Sequence, residues 1–120
     1  MPSNMKTLTV TIAESASLSD AAALAGYTPV TIIMPATWTA AGLSFQISHD
    51  GGVTYSNLYY LSTLAVTEYA LTSPAADYAI ALPAATLFTG ATHIKIRSGT
   101  AGTPVTQDAA RTLTLICRDL

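Results

Sequence analysis

Charge is scarce in this chain. Lys, Arg, Asp and Glu together make up 10% of its 120 residues, against about 25% in a typical soluble domain. Five basic residues stand against seven acidic ones, for a formal net charge of −2. No Lys/Arg cluster is present, so a phosphate backbone finds no electrostatic footprint and nucleic acid is not expected as a partner. Cysteine is nearly absent. Cys117 stands alone, and one thiol builds no intramolecular disulfide framework. Long apolar runs are missing too: none approaches the roughly 18 residues a membrane span requires, so no membrane partner is expected. The single cysteine fits synthesis in a cytoplasm, and Met1–Lys6 lack the charged-then-apolar order of a signal peptide.

Convergent chemistry is equally thin. Ser48-His49-Asp50 holds the residue types of a hydrolase triad. Neighbouring strand residues point to opposite faces, however, whereas a triad needs its three side chains to meet. Catalytic residues are therefore expected to be none. Metal ligands fare no better. His49 and His93 are the only histidines, Asp20, Asp50, Asp77 and Asp108 are scattered among loops, and no H-x-H, C-x-x-C or EF-hand spacing occurs. Gly51-Gly52 lies within a hairpin and not between a strand and a helix, so it is no phosphate loop. No cofactor is implied.

Hydrophobic residues, by contrast, make up 50% of the chain. The length suits one domain, residues 1–120, large enough to close a core without metal or disulfide staples. Its exterior must be built from Thr, Ser, Ala, Asn, Gln and Gly. A small sandwich with a Thr-coated surface would have this composition. So would a subunit whose exterior is covered in an oligomer, because interface cores are depleted in charge and a charge-poor surface is poorly protected against association.

The apolar residues recur with a period of two, the mark of half-buried strands. In Leu43–Tyr60, Leu43, Phe45 and Ile47 alternate with Ser44, Gln46 and Ser48; Asp50-Gly51-Gly52 then reverses the chain. Gly accepts positive φ and Asp bonds its own backbone. Val53, Tyr55 and Leu58-Tyr59-Tyr60 supply a return arm. Further strands are expected at 6–12, 30–34, 66–71, 78–82, 93–98 and 111–118, with an irregular loop or short strand at 14–25. Gly26–Pro29 reads as a turn. Val30–Met34 is nearly continuously apolar and is expected to lie centrally, ended by Pro35. Trp38 is expected to cap one end of the core, and 83–88 to form a helical turn with Leu87 and Phe88 inward. On the seventh strand Ile94 and Ile96 face in while Lys95 and Arg97 face out. The expected core is Leu43, Phe45, Ile47, Ile80, Ile94, Ile96, Leu113 and Leu115. About eight short antiparallel strands and no long helix make the fold class all-β, a β-sandwich of jelly-roll-like type. Tyr55, Tyr59, Tyr60, Tyr69 and Tyr78 suit core edges and a subunit interface; the alternative is a sheet on which sugars stack.

Two resemblances attach to particular residues. Ser48-His49-Asp50-Gly51-Gly52-Val53-Thr54-Tyr55 resembles one Asp-box, S-x-D-x-G-x-T-W, with Tyr55 in the aromatic place. That motif is a folded hairpin of many β proteins, sialidases among them. Met34–Ala41, Leu43-Ser44-Phe45-Gln46, Ser48–Gly52, Ile94–Thr100 and Arg111–Leu115 together resemble small structural proteins of tailed bacteriophages, the capsid cement (decoration) proteins and head-spike components. This resemblance implies a non-enzymatic virion component of β-sandwich fold. It would be a homotrimer on the capsid surface that binds and stabilises the major capsid protein. A head-spike, fibre or tail component binding host glycans is the alternative. The resemblance transfers no interface residue. Met1–Lys6 and Gly99–Asp108 are the segments whose composition suits anchoring.

Overall fold

Thr, Ser and Ala between larger apolar side chains build strands with one dry face and one wetter one. The computed structural model describes residues 4–119. Its strands are β1 (Met5–Ile12), β2 (Ala22–Ala23), β3 (Tyr27–Ile33), β4 (Leu43–Ser48), β5 (Ser56–Asn57), β6 (Tyr59–Ser62), β7 (Ala65–Glu68), β8 (Ala70–Leu71), β9 (Ala79–Ala81), β10 (His93–Ser98) and β11 (Arg111–Asp119), with a 3-10 helix at Ala85–Phe88. They stack as an all-β sandwich. One sheet has the order β1-β11-β3-β9. The other has the order β2-β10-β4-β5, with β8 also paired to β4, and β6 and β7 form a two-stranded sheet of their own. Each of these pairings is antiparallel.

The core lies between the two larger sheets. β1 and β11 contribute Val10, Ile12, Leu113, Leu115 and Cys117; β3 contributes Ile32. From the facing sheet come Leu43, Phe45, Ile94 and Ile96. Phe45 is the hub. Its ring meets Phe88 of the 3-10 helix edge-on at 5.4 Å between centroids and Tyr69 at 5.7 Å. Trp38 is half-buried against this cluster, and its indole N–H donates to the Ala41 carbonyl at 3.1 Å. Burial pushes the Cys117 thiol up to about 11, so it stays protonated and inert at neutral pH.

Six of the eight expected core residues are buried; Ile47 and Ile80 are only half-buried. Ile47 sits near the end of β4, flanked on the outer edge by the two-residue β5. Ile80 lies on β9, the last strand of its sheet, so one side of it stays open. Tyr78, expected to open the strand at 78–82, precedes β9 and is exposed. The turn expected at 26–29 is tighter, with positive φ at Ala25 and Gly26 (52° and 88°), and β3 begins at Tyr27. Pro29 is accommodated inside β3 by a bulge. Thr31 pairs with Ile116 and Pro29 with Cys117, which leaves Val30 as the extra residue. The expected strand at 66–71 is two strands, broken at Tyr69, and the return arm of the 43–60 hairpin is likewise divided.

Truncation at the hub tests this packing. Phe45→Ala should cost about 3–5 kcal/mol, read as a lower urea midpoint at unchanged m. A variant of wild-type stability would place Phe45 outside the core.

Candidate functional site

Two features stand apart from the sandwich: the Asp50 loop, and an arm made of β6 and β7. In the loop the Ser48 hydroxyl donates to the Asp50 carboxylate at 2.7 Å and accepts the Gly52 N–H at 2.9 Å. Asp50 also accepts the Thr54 hydroxyl at 2.5 Å and the Thr54 N–H at 3.0 Å. These bonds, the Thr54 hydroxyl first, hold its carboxyl well below the usual carboxylate range. Gly51 and Gly52 have φ of 78° and 89°. The loop therefore spans 49–55 before β5 pairs with Gln46 and Ile47, longer than a reversal confined to Asp50-Gly51-Gly52. Tyr55 ends it beneath the Lys95 ammonium, which lies 4.2 Å from the ring centroid. The carboxylate spends its lone pairs on the loop's own donors, so the arrangement shapes a turn. No group of three or more His, Cys, Asp or Glu side chains comes together among the described residues. No helix among them is long and apolar enough to cross a membrane.

The arm arises where β4's outer edge is shared. β5 pairs with Gln46 and Ile47, β8 with Leu43 and Ser44, and the Phe45 carbonyl between them accepts the Leu58 N–H at 2.9 Å. The Tyr69 N–H in turn donates to the Leu58 carbonyl at 2.9 Å. The chain from Tyr59 to Glu68 has no place left on β4. It pairs with itself instead, Tyr59 against Glu68 through Ser62 against Ala65, around a Thr63-Leu64 turn with φ 57° at Thr63. Its large side chains reach solvent: Leu64 is 93% exposed, Val66 70% and Leu61 68%, with Tyr59 and Tyr60 exposed beside them. Tyr60 touches the body by meeting Tyr69 edge-on at 5.9 Å. The Tyr69 hydroxyl below is buried, with no hydrogen-bond partner among the described residues, and desolvation raises its pKa.

A polar clasp fixes the root of the arm. Arg97 was expected to face outward. It does leave the core face, yet it is only 7% exposed because the root covers it. Its guanidinium donates to Asn57 at 2.7 Å and to Ser44 at 3.2 Å, and pairs with Glu68 of β7 at 3.6 Å. Glu68 also accepts the Ala101 N–H at 2.9 Å. The Gly99–Asp108 loop, expected as an anchor that orders on binding, is already tied into the sandwich. Buried Gln107 accepts from Thr39 N–H at 2.9 Å and Arg111 Nε at 3.1 Å, and donates to Ser98 at 2.7 Å and to the Thr39 carbonyl at 3.1 Å. Of the other expected anchor, Met1–Lys6, residues 1–3 lie outside the described residues, and Met5 and Lys6 open β1.

The expected tyrosines are thus split: Tyr69 is buried, Tyr55 is half-buried under Lys95, and Tyr59, Tyr60 and Tyr78 are exposed. The residues that sequence reasoning missed are Leu61, Leu64 and Val66. Their signal was present, since no charged side chain occurs between Asp50 and Glu68 and neither Gly nor Pro between Val53 and Glu68. Edge strands are ordinarily guarded by such residues.

Two sets of substitutions check these geometries. Gly51→Val and Gly52→Val should each cost roughly 1–2 kcal/mol through the positive φ. Gly52→Val should be the worse, because its Cβ would also press on the Tyr55 hydroxyl at 3.3 Å and the His93 ring at 3.4 Å, whereas Gly51 faces open space. Thermal melts in which both variants match wild type would contradict the turn geometry. Arg97→Met leaves Glu68 without its cation and should destabilise by about 3 kcal/mol. Chymotrypsin should then cut at Tyr59–Leu61 faster than in wild type; equal cleavage would show that the clasp does not hold the arm.

No protein-family model matches the chain, and no curated protein is similar to it. Among solved structures it is similar to YomS, an SPBc2 prophage-derived protein, at a TM-score of 0.54 and 10% sequence identity, with 99% of this chain and 98% of that one covered. At that identity the likeness is one of fold, and it extends over the whole β-sandwich.

Proposed function

We propose that the chain is a non-enzymatic structural protein of a tailed-bacteriophage virion, and that it acts there as a capsid cement (decoration) protein. In this reading it is a homotrimer seated on the major capsid protein at the outer surface of the shell. The observation that carries the reading is the apolar arm. A chain that holds Leu61, Leu64 and Val66 in water, on edges with no charge to guard them, has a surface made to be covered by protein. Two further observations support it. The sheet β1-β11-β3-β9 facing β2-β10-β4, with β5 and β8 sharing the outer edge of β4, suits a jelly-roll-like sandwich, an arrangement that viral shell proteins use. The fold is also similar end to end to that of a prophage-derived protein. Cement adds contact area between shell subunits, and distributed contact needs no single reactive residue. Several feet on one trimer multiply weak contacts into firm attachment.

The exposed rings of Tyr59 and Tyr78 favour a second reading, a spike, fibre or tail component that stacks on host glycans. Gold-labelled antibody on particles of the encoding phage separates the two. Label is expected on heads, and heads lacking the chain should rupture at lower temperature than heads to which it has been restored. Label confined to tails, with loss of host adsorption in Tyr59→Ala, would overturn the cement reading.

A further inference from the structure

The arm has an apolar counterpart on the same edge of the molecule. After Glu68 the chain enters β8 and turns through Thr72-Ser73-Pro74 towards β9. Between β8 of one sheet and β9 of the other lies an open groove of about 440 Å³, walled by Leu71, Pro74, Tyr78 and Ile80. Neither these strands nor the arm's own tip closes it. Ile80 and Leu71 are only half-buried, Tyr78 is exposed, and Leu64 at the tip stands 93% in solvent.

We infer that the β6–β7 arm of one copy of this chain docks in the β8–β9 groove of the next, so that the subunit contact is an exchange of arms around a ring. This deepens the proposed homo-oligomer and rests on it. Three observations choose a second copy as the occupant. First, the match is one of kind. The arm from Leu58 to Thr67 carries no charge, and the residues lining the groove carry none either; two uncharged apolar surfaces gain by meeting without stranding a buried ion. Second, the bare surface is concentrated at the tip: Leu61 and Val66 are cross-strand partners beside the Thr63-Leu64 turn, and with Leu64 they are 68%, 70% and 93% exposed, an unguarded apolar knob of the kind that marks a protein-binding site. Third, knob and hole differ but lie on one chain. Such a contact is heterologous, and a rotation that closes it gives a cyclic oligomer in which every arm and every groove is used. A two-stranded hairpin is marginal alone in water, and docking supplies the cover it lacks. The clasp of Arg97 on Glu68 holds the arm's root while its tip stays outside the parent body.

The test uses the full chain and two variants with one added cysteine each, Leu64→Cys at the arm tip and Thr72→Cys at the groove. The native Cys117 is buried and does not compete. Mixed and oxidised, the two variants should form a disulfide-linked heterodimer, whereas Leu64→Cys alone should not cross-link. Cross-linking of Leu64→Cys to itself would show arm meeting arm and overturn the groove as the site; so would a mixture that yields no heterodimer. Sedimentation separates this contact from the reading it rests on. Wild type should sediment as a small oligomer, and Leu64→Asp, with an unchanged circular dichroism spectrum, should associate at least tenfold more weakly. A wild-type oligomer that Leu64→Asp leaves intact would overturn the arm–groove contact alone. A wild type that stays monomeric at high concentration would overturn the homo-oligomer as well.

Discussion

The outer edge of β4 carries the constraint on which the rest of the molecule depends. Its backbone groups must be hydrogen-bonded, and three short pieces of chain divide the work: β5 at Gln46 and Ile47, the Leu58 N–H at the Phe45 carbonyl, and β8 at Leu43 and Ser44. Because β5 and β8 lie end to end along one strand, the residues between them cannot join the sheet. They leave as a hairpin. The same strand carries Phe45, whose ring gathers Phe88 and Tyr69 into the core. One strand thus organises the interior with its side chains and expels the arm with its edge.

Charge is placed as economically as it is scarce. Of the five basic residues, Arg97 and Arg111 are buried and serve polar clasps, and Lys95 covers the Tyr55 ring. Arg97 holds the root of the arm through Asn57, Ser44 and Glu68. Arg111, with Gln107 and Asp108, ties the 99–108 loop to Thr37 and Thr39. Few charges remain for the exterior, where they would ordinarily keep copies of a protein apart. The apolar arm and the charge-poor surface therefore both support the proposed assembly.

The arm also explains why its own segment was hard to read. Tyr59-Tyr60-Leu61 and Ala65-Val66 are apolar runs of the kind a core also uses, and the lack of charge around them says only that the edges are unguarded. An exposed apolar hairpin and a core hairpin can share that composition; only the competition for β4's edge separates them.

What the sequence by itself determined is the local chemistry. Period-two patterning marked β1, β4, β10 and β11 and the faces of Leu43, Phe45, Ile94, Ile96, Leu113 and Leu115, because side-chain direction in a strand follows from the backbone alone. Asp50, Gly51 and Gly52 marked a reversal, because positive φ and a self-bonding carboxylate are properties of those residues. Tertiary structure decided what covers each face. Arg97 points away from the core as its parity requires, yet it is buried, because Asn57 and Glu68 arrive over it from distant positions. Ile80 points inward and is left half-open, because β9 ends its sheet. Leu64 is bare because two strand stubs took the places its neighbours would have filled. Parity is a local quantity and cover is a non-local one, and the bare surface of the arm is a matter of cover.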